Sequence, residues 1–133
     1  MPCALAAMSP STDMDGDAFS ADFIFQNDPA LIPQNVDFAH RMYTPSTPKS
    51  HPLVSPHHAT YGDWFPPVLF TTGTKDCFQH QVMKTAEKMS EAGVDVSLNI
   101  WQDLWHVFEF TPEIPEAIKS IQHIADFFRS HLK

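Results

Sequence analysis

Hydrophobic and polar positions follow two different periods in the second half of the chain. Residues 67–72 form an apolar run with β-branched and aromatic side chains that ends at Gly73, which predicts a strand. Residues 95–101 alternate apolar and polar side chains, which predicts a second strand. Between them, residues 78–92 place apolar side chains on one helical face, and Gly93 suits the position just after a helix. The pattern predicts a strand, a helix and a strand in succession.

A last helix is predicted near the C-terminus, where Pro112 is suited to a first helical turn. The apolar side chains of this helix repeat at helical spacing: Ile114, Ala117, Ile118, Ile121, Ala125, Phe128 and Leu132. Alternating strands and helices are typical of parallel strands joined by right-handed crossover helices. The hydrophobic pattern therefore predicts the α/β fold class.

The first half of the chain has a weaker pattern. Residues 3–8 are continuously apolar and are followed by Pro10, which predicts a short buried strand. Residues 11–28 show no clear period, residues 33–43 predict a helix that begins with proline, and the proline-rich residues 44–67 predict a long loop. The apolar face of the predicted helix consists of Val36, Ala39, Met42 and Tyr43.

Composition limits the classes of function. The 133 residues suffice for one domain, and 43% hydrophobic with 18% charged residues is typical of a globular protein. A net charge of -8 with only eight scattered basic residues argues against a nucleic-acid partner. No apolar run is long enough for a membrane span, and no basic segment precedes the apolar N-terminus as in a signal peptide. Cys3 and Cys77 match neither a disulfide framework nor a zinc motif, so we expect a reduced, cytoplasmic setting.

Two residues follow the predicted strands closely enough to share a site. Asp76 comes shortly after the strand at 67–72, and His106 comes shortly after the strand at 95–101. The carboxyl ends of parallel strands meet at one rim, where α/β proteins carry their chemistry. A histidine that acts as a general base needs a carboxylate to hold its tautomer. The plainer alternatives are that Asp76 only caps the next helix and that His106 is a satisfied core residue.

Several short segments carry a family resemblance: HPLVSP (51–56), FPPVL (65–69), GTKD (73–76), AGV (92–94) and HVF (106–108). In this order they resemble the C-terminal part of α/β-hydrolases of the hormone-sensitive-lipase-like esterase branch. Members of that branch carry a dPlvSPl stretch, an lPPvLiqvGs.D strand and loop, a helix ending in AGV, and an HvF or HGF corner. The segment SPSTD (9–13) is also similar to the family's SPw.Dl turn. The resemblance covers almost the whole chain.

The resemblance implies that residues 1–133 are the C-terminal part of a single α/β-hydrolase domain whose nucleophile-bearing N-terminal part is absent. It implies that Asp76 is the acid and His106 the base of a Ser-Asp-His triad acting on a small-molecule ester, without a cofactor or a metal. In this family the last strand and helix often form a homodimer seam, which here corresponds to 95–101 and 114–132. Association with a complementing chain is the other expected partnership.

The triad serine is missing from the sequence. The family's nucleophile motif, G-x-S-x-G, needs two glycines four positions apart, and the glycines here are Gly16, Gly62, Gly73 and Gly93. The HGGG segment that supplies oxyanion donors is absent too. The residues considered as substitutes are Ser9, Ser11, Ser55 and Cys77. For the serines the plainer interpretation is turn capping, and for the cysteine it is packing at the start of a helix.

Three interpretations follow. The first is a carboxylic-ester hydrolase to which this chain supplies Asp76 and His106, so that the isolated chain has no turnover. The second is an inactive half-hydrolase that acts as an interaction or regulatory protein. The third is a stand-alone hydrolase with an unusual nucleophile. The sequence favours the first.

Two smaller predictions are that the histidines of the loop 51–58 lie at the surface rather than on a metal, and that Phe108 and Phe110 pack beneath the His106 loop.

Overall fold

The computed structural model describes residues 1–14 and 28–132. Within these ranges the centre of the fold is a parallel sheet of three strands, in the order β1 (Leu5–Met8), β2 (Val68–Gly73), β3 (Val96–Trp101). This arrangement confirms the predicted α/β class with parallel strands. Most of the patternless stretch at 11–28 lies outside the described residues.

Three α-helices accompany the described strands: α1 (Pro33–Tyr43), α2 (Gln79–Glu91) and α3 (Pro115–His131). Two short 3-10 turns cover Pro56–His58 and Phe108–Phe110. Within the described ranges, no helix combines the length and apolar character that a membrane span requires.

The helix boundaries follow from local chemistry. Pro33 and Pro115 each occupy a first helical turn, where a missing N–H costs nothing. The prediction that Pro112 opens the last helix was wrong, since the extended main chain of Ile114 delays the helix to Pro115. Gly93 follows α2 with φ of 88°, the left-handed conformation that glycine adopts without strain.

The larger core cluster lies between β2 and α2. Val68 and Phe70 project from one face of the strand and pack with Val82, Ala86 and Met89 of the helix. Every residue of β2 is buried, because a strand runs along each of its edges and α2 and α3 pack against its faces.

On the opposite face, β2 meets α3 through polar side chains. Thr71 donates its hydroxyl to Glu109 at 3.1 Å, and Ser120 of α3 donates to the same carboxylate oxygen at 2.7 Å. Trp101 completes the group by donating its indole N–H to the hydroxyl of Thr71 at 3.0 Å. Both Glu109 and Ser120 are buried, and the hydrophobic pattern of the sequence did not indicate either of them.

The first strand was predicted correctly as a strand, but the prediction that it is buried was wrong. The strand exists at Leu5–Met8, but Leu5 is exposed and the other three residues are half-buried. The reason is that β1 lies at the edge of the described sheet, with β2 along one side only.

The predicted apolar faces of α1 and α3 were also partly wrong. Met42 and Tyr43 of α1 are exposed, while Val36 and His40 are buried. In α3 the buried positions are Ala117 and Ser120, small residues that allow the helix to approach the sheet closely. Three apolar residues of the predicted α3 stripe are exposed: Ile118, Ile121 and Leu132.

Candidate active site

Asp76 is held in a tight connection between β2 and α2. Its main-chain N–H donates to the carbonyl of Gly73 at 3.1 Å. Next to it, Lys75 donates its main-chain N–H to the carbonyl of Leu104 at 2.9 Å, which ties this connection to the loop after β3. Gly73 permits this approach, because a Cβ at that position would collide with the main chain of Leu104. A main-chain hydrogen bond therefore joins the loop after β2 to the loop after β3.

The structure brings Asp76 and His106 together. The Nδ1 atom of His106 lies 3.2 Å from Oδ1 of Asp76. That same oxygen accepts the main-chain N–H of Phe78 at 2.9 Å, and Oδ2 accepts the hydroxyl of Thr72 at 2.7 Å. Asp76 is fully buried, whereas the side chain of His106 is 19% exposed. The alternative that Asp76 only caps the next helix was wrong, because Phe78 is the N-cap of α2 and the carboxylate of Asp76 contacts His106 as well as the Phe78 N–H.

The environment keeps Asp76 ionised. Burial by itself raises the pKa of the carboxyl group, but hydrogen bonds from His106, the Phe78 N–H, Ser9 and Thr72 outweigh it, and the pKa lies below its ordinary value. An ionised carboxylate only accepts hydrogen bonds, so Nδ1 of His106 must carry the proton in the neutral ring. The other ring nitrogen, Nε2, is then the one that can accept a proton.

A mostly apolar groove of about 480 Å³ opens beside the imidazole of His106. The ring of Phe78 lies edge-on to that imidazole, with 5.2 Å between the ring centroids. Other apolar side chains that line the groove are Met14, Leu31, Val36, Ala39 and Tyr43. A groove of this size and character is typical of sites for small organic molecules. Sequence analysis placed Val36, Ala39 and Tyr43 on one face of the helix but did not connect that face with His106, because the position of α1 beside the histidine is decided by the tertiary structure.

Two of the serines considered as nucleophiles have structural partners. Ser55 is fully buried, donates its hydroxyl to the carbonyl of Lys49 at 2.6 Å, and accepts the N–H of Met14 at 2.7 Å. Ser9 is buried and accepts the N–H of Val107 at 3.0 Å. Neither residue is among those that line the groove.

Ser11 and Cys77 differ in their surroundings. Ser11 lines the groove, and its hydroxyl oxygen lies 3.2 Å from Nε2 of His40. Cys77 is buried in the core cluster, as the packing interpretation predicted. Burial, together with the charges of Asp76 and Asp28, raises the pKa of its thiol far above the ordinary value. A protonated, buried thiol is a poor nucleophile.

Asp28, Asp76 and Cys77 place one potential metal-ligand atom each within 4.8 Å of one another. The carboxylate of Asp28 already accepts the N–H of Ala30 at 2.9 Å and that of Cys77 at 3.0 Å. Both oxygens of Asp76 are engaged, and the thiol of Cys77 is protonated. This donor set is occupied by protein hydrogen bonds and does not fit a cation.

The histidines of the loop at 51–58 turn to separate partners. His51 accepts the main-chain N–H of Leu53 at 3.2 Å. His57 lies 3.1 Å from the hydroxyl of Thr85 on α2. His58 lies 3.3 Å from a carboxylate oxygen of Asp13. These contacts attach the loop to the rest of the fold and do not converge on one point.

The aromatic residues around His106 divide into buried and exposed members. Phe108 is fully buried beneath the His106 loop, as predicted. The prediction for Phe110 was wrong, because this side chain is 81% exposed. Trp105 is partly buried and packs against the small cluster formed by Leu104, Phe108 and Ala117.

Comparison with known proteins supports a family assignment. The family model described as alpha/beta hydrolase fold matches residues 1–110. Among curated proteins, carboxylesterase/phospholipase LipF of Mycobacterium tuberculosis is 32% identical over 65 residues, which are 48% of this chain and 17% of LipF.

Solved structures extend the similarity over nearly the whole chain. The crystal structure of EstE5 soaked with ethyl alcohol has a TM-score of 0.90 and 28% identity, over 98% of this chain and 44% of that chain. A hormone-sensitive lipase from a metagenome library has a TM-score of 0.90 and 26% identity, over 98% of this chain and 45% of that chain. The chain spans less than half the length of these relatives. With most of its residues matched and its parallel sheet shared with these enzymes, the chain belongs to the α/β-hydrolase fold family, in the branch of hormone-sensitive-lipase-like esterases.

Proposed function

We propose that this chain provides the acid and the base of a carboxylic-ester hydrolase of the serine type, with Asp76 as acid and His106 as base. The observation that carries the proposal is the 3.2 Å contact between Nδ1 of His106 and the buried, ionised carboxylate of Asp76. The nucleophilic serine and the oxyanion donors come from outside these 133 residues, since the sequence has neither G-x-S-x-G nor HGGG.

In the proposed mechanism, Nε2 of His106 removes the proton from the serine hydroxyl while the serine oxygen attacks the ester carbonyl carbon. Asp76 stabilises the resulting imidazolium through Nδ1. The tetrahedral intermediate then expels the alcohol, which takes the proton from His106, and an acyl-serine remains. Water attacks the acyl group with His106 again acting as base, and the carboxylic acid leaves as the serine regains its proton.

We propose that the substrate is a small-molecule ester whose apolar group lies in the groove beside His106. The support is the predominantly apolar lining of that groove and its volume of about 480 Å³. Two relatives point the same way, since EstE5 has been soaked with p-nitrophenyl butyrate and LipF is named a carboxylesterase/phospholipase.

The proposal includes a partner, because several apolar surfaces of the chain are open. The outer edge of β1 has no neighbour among the described residues, and Phe110, Ile118 and Ile121 are exposed. A complementing segment of the hydrolase fold would cover these surfaces, whether it lies on the same polypeptide or on another. We propose a homodimer through 95–101 and 114–132 as a second association. We also propose a cytoplasmic setting, because both cysteines are free.

Reconstitution tests the function. The full chain is mixed with the N-terminal part of a hormone-sensitive-lipase-like esterase that carries G-x-S-x-G, and hydrolysis of p-nitrophenyl butyrate is followed. We expect no turnover from the chain alone and measurable turnover from the pair. Asp76→Asn or His106→Ala in the chain should reduce the rate by at least about a thousandfold, because each removes a triad function.

The matched control is His58→Ala, which removes a histidine that also faces an aspartate, with 3.3 Å between Nε2 of His58 and Oδ1 of Asp13, in the loop at 51–58. That variant should leave the rate of the pair unchanged. A pair that hydrolyses the ester equally well with the double variant Asp76→Asn/His106→Ala would overturn the proposal. A stable pair that never shows turnover would overturn it in favour of an inactive half-hydrolase that acts through binding.

A further inference from the structure

The side chain of Ser9 lies where the ends of the three strands meet. Its main-chain N–H donates to the carbonyl of Thr71 at 2.8 Å, one step beyond the end of β1. Its hydroxyl oxygen accepts the main-chain N–H of Val107 at 3.0 Å, across 98 positions of sequence. The same side chain is also close enough to the carboxylate of Asp76 to help lower its pKa. One buried side chain from the end of β1 therefore contacts both loops of the Asp76–His106 pair.

The main chain on both sides of this contact is strained. Val107 has φ of 46° and ψ of 48°, a left-handed conformation that β-branched residues rarely adopt. Ser9 also has a left-handed φ, of 47°. Such conformations persist only where surrounding contacts hold them, and they occur preferentially at functional sites. Val107 directly follows His106, so a relaxation of Val107 would rotate the peptide bond that carries the histidine.

The N–H of Val107 needs a partner from elsewhere in the fold. Val107 precedes the 3-10 turn Phe108–Phe110 as its capping residue, and the N–H at such a position has no acceptor within the turn. The hydroxyl of Ser9 supplies that acceptor. A buried N–H without a partner would favour rearrangement of the corner.

We propose that Ser9 is a positioning residue whose hydroxyl holds the strained His106–Val107 corner and thereby keeps the imidazole of His106 on the carboxylate of Asp76. The catalytic meaning of this role rests on the proposed function. The contact itself does not, so it is tested on the full chain without ester hydrolysis.

The test uses Ser9→Gly, because glycine tolerates a φ of 47° and the substitution removes the hydroxyl without adding main-chain strain to the folded state. The measurements are the NMR signal of the His106 Nδ1 proton and the hydrogen exchange of the Val107 amide. We expect the His106 signal to be lost through exchange with water. Exchange of the Val107 amide should become about tenfold faster, as expected when one hydrogen bond is removed. Amides in the middle of α2 should keep their protection.

Two further variants separate positioning from general stability. Ser55→Ala removes another buried hydroxyl with two main-chain partners, and it should leave the His106 signal intact. Adding Val107→Asn to Ser9→Gly should restore part of the signal, because asparagine adopts the left-handed conformation more readily than valine. The proposal is overturned by a wild-type His106 signal in Ser9→Gly, or by an equal loss in Ser55→Ala. Either result leaves the reconstitution test of function unaffected.

Discussion

The first and second strands have similarly apolar sequences but different surroundings. Every residue of β2 is buried, whereas β1 has an exposed Leu5 and three half-buried residues. The reason is the number of neighbours, since β2 lies between two strands and β1 pairs with one. The comparison teaches that an apolar run predicts a strand, while its burial depends on what the rest of the fold places beside it.

Two residues of the candidate site are also buried, whereas several apolar residues elsewhere on the chain are exposed. Asp76 and Thr72 at the end of β2 are fully buried and hydrogen-bonded within the chain. Ile118 on α3 and Phe110 before it are exposed although they are large and apolar. The Asp76–His106 pair is therefore assembled by the β2–α2–β3 region together with Ser9, the residue that follows β1.

The largest expected effect comes from Gly73, where the β2 and β3 loops approach each other. Gly73→Ala would drive a Cβ into the main chain of Leu104, so the free energy of unfolding should fall by about 3 kcal/mol or more. Urea unfolding followed by circular dichroism measures this change.

Gly62→Ala is the control for Gly73→Ala. The atoms nearest to a Cβ at position 62 belong to the side chain of Trp64, which is exposed and can move, so the free energy of unfolding should change by less than about 0.5 kcal/mol. Equal urea midpoints for Gly73→Ala and Gly62→Ala would show that the close approach of Gly73 to Leu104 does not constrain the fold.

A smaller effect is expected from shortening apolar side chains in the two regions. Val82→Ala removes two methyl groups from a fully buried position of α2 and should lower the free energy of unfolding by about 2 kcal/mol. Ile118→Ala, at a position 62% exposed, should change it by less than about 0.5 kcal/mol. Urea unfolding of the isolated chain checks both values, and a larger loss for Ile118→Ala would mean that α3 is covered in solution.

The smallest effect concerns pH. The folded-state pKa of Asp76 lies below its ordinary value of 3.8, so its ionisation stabilises the fold above that pH and the contribution is lost as the pH falls below it. Thermal unfolding across this range should show a shallower loss of stability in Asp76→Asn than in the parent chain. The exposed residue Asp103 offers the control, since Asp103→Asn should leave the parent slope unchanged. Identical slopes in Asp76→Asn and the parent would contradict the lowered pKa.

Much of the fold and the candidate pair could be predicted because the signals are local. The apolar run of β2, the helical spacing of α2 and the alternation of β3 each appear within a short window. Parallel strands then bring Asp76 and His106 to one rim without further information. The packed face of α3 could not be predicted in this way, because Ile118 and Ala117 both satisfy helical spacing and only the position of the sheet distinguishes them.

The sequence by itself determined the order of the strands and helices, their parallel arrangement and the two residues of the pair, since periodicity and strand-end position are properties of neighbouring residues. Only the tertiary structure decided which apolar side chains are covered, that α1 supplies the wall of the groove beside His106, and that Ser9 contacts a corner 98 positions away. Such contacts depend on how separate segments meet in space, and hydrogen bonds between distant residues leave no period in the sequence.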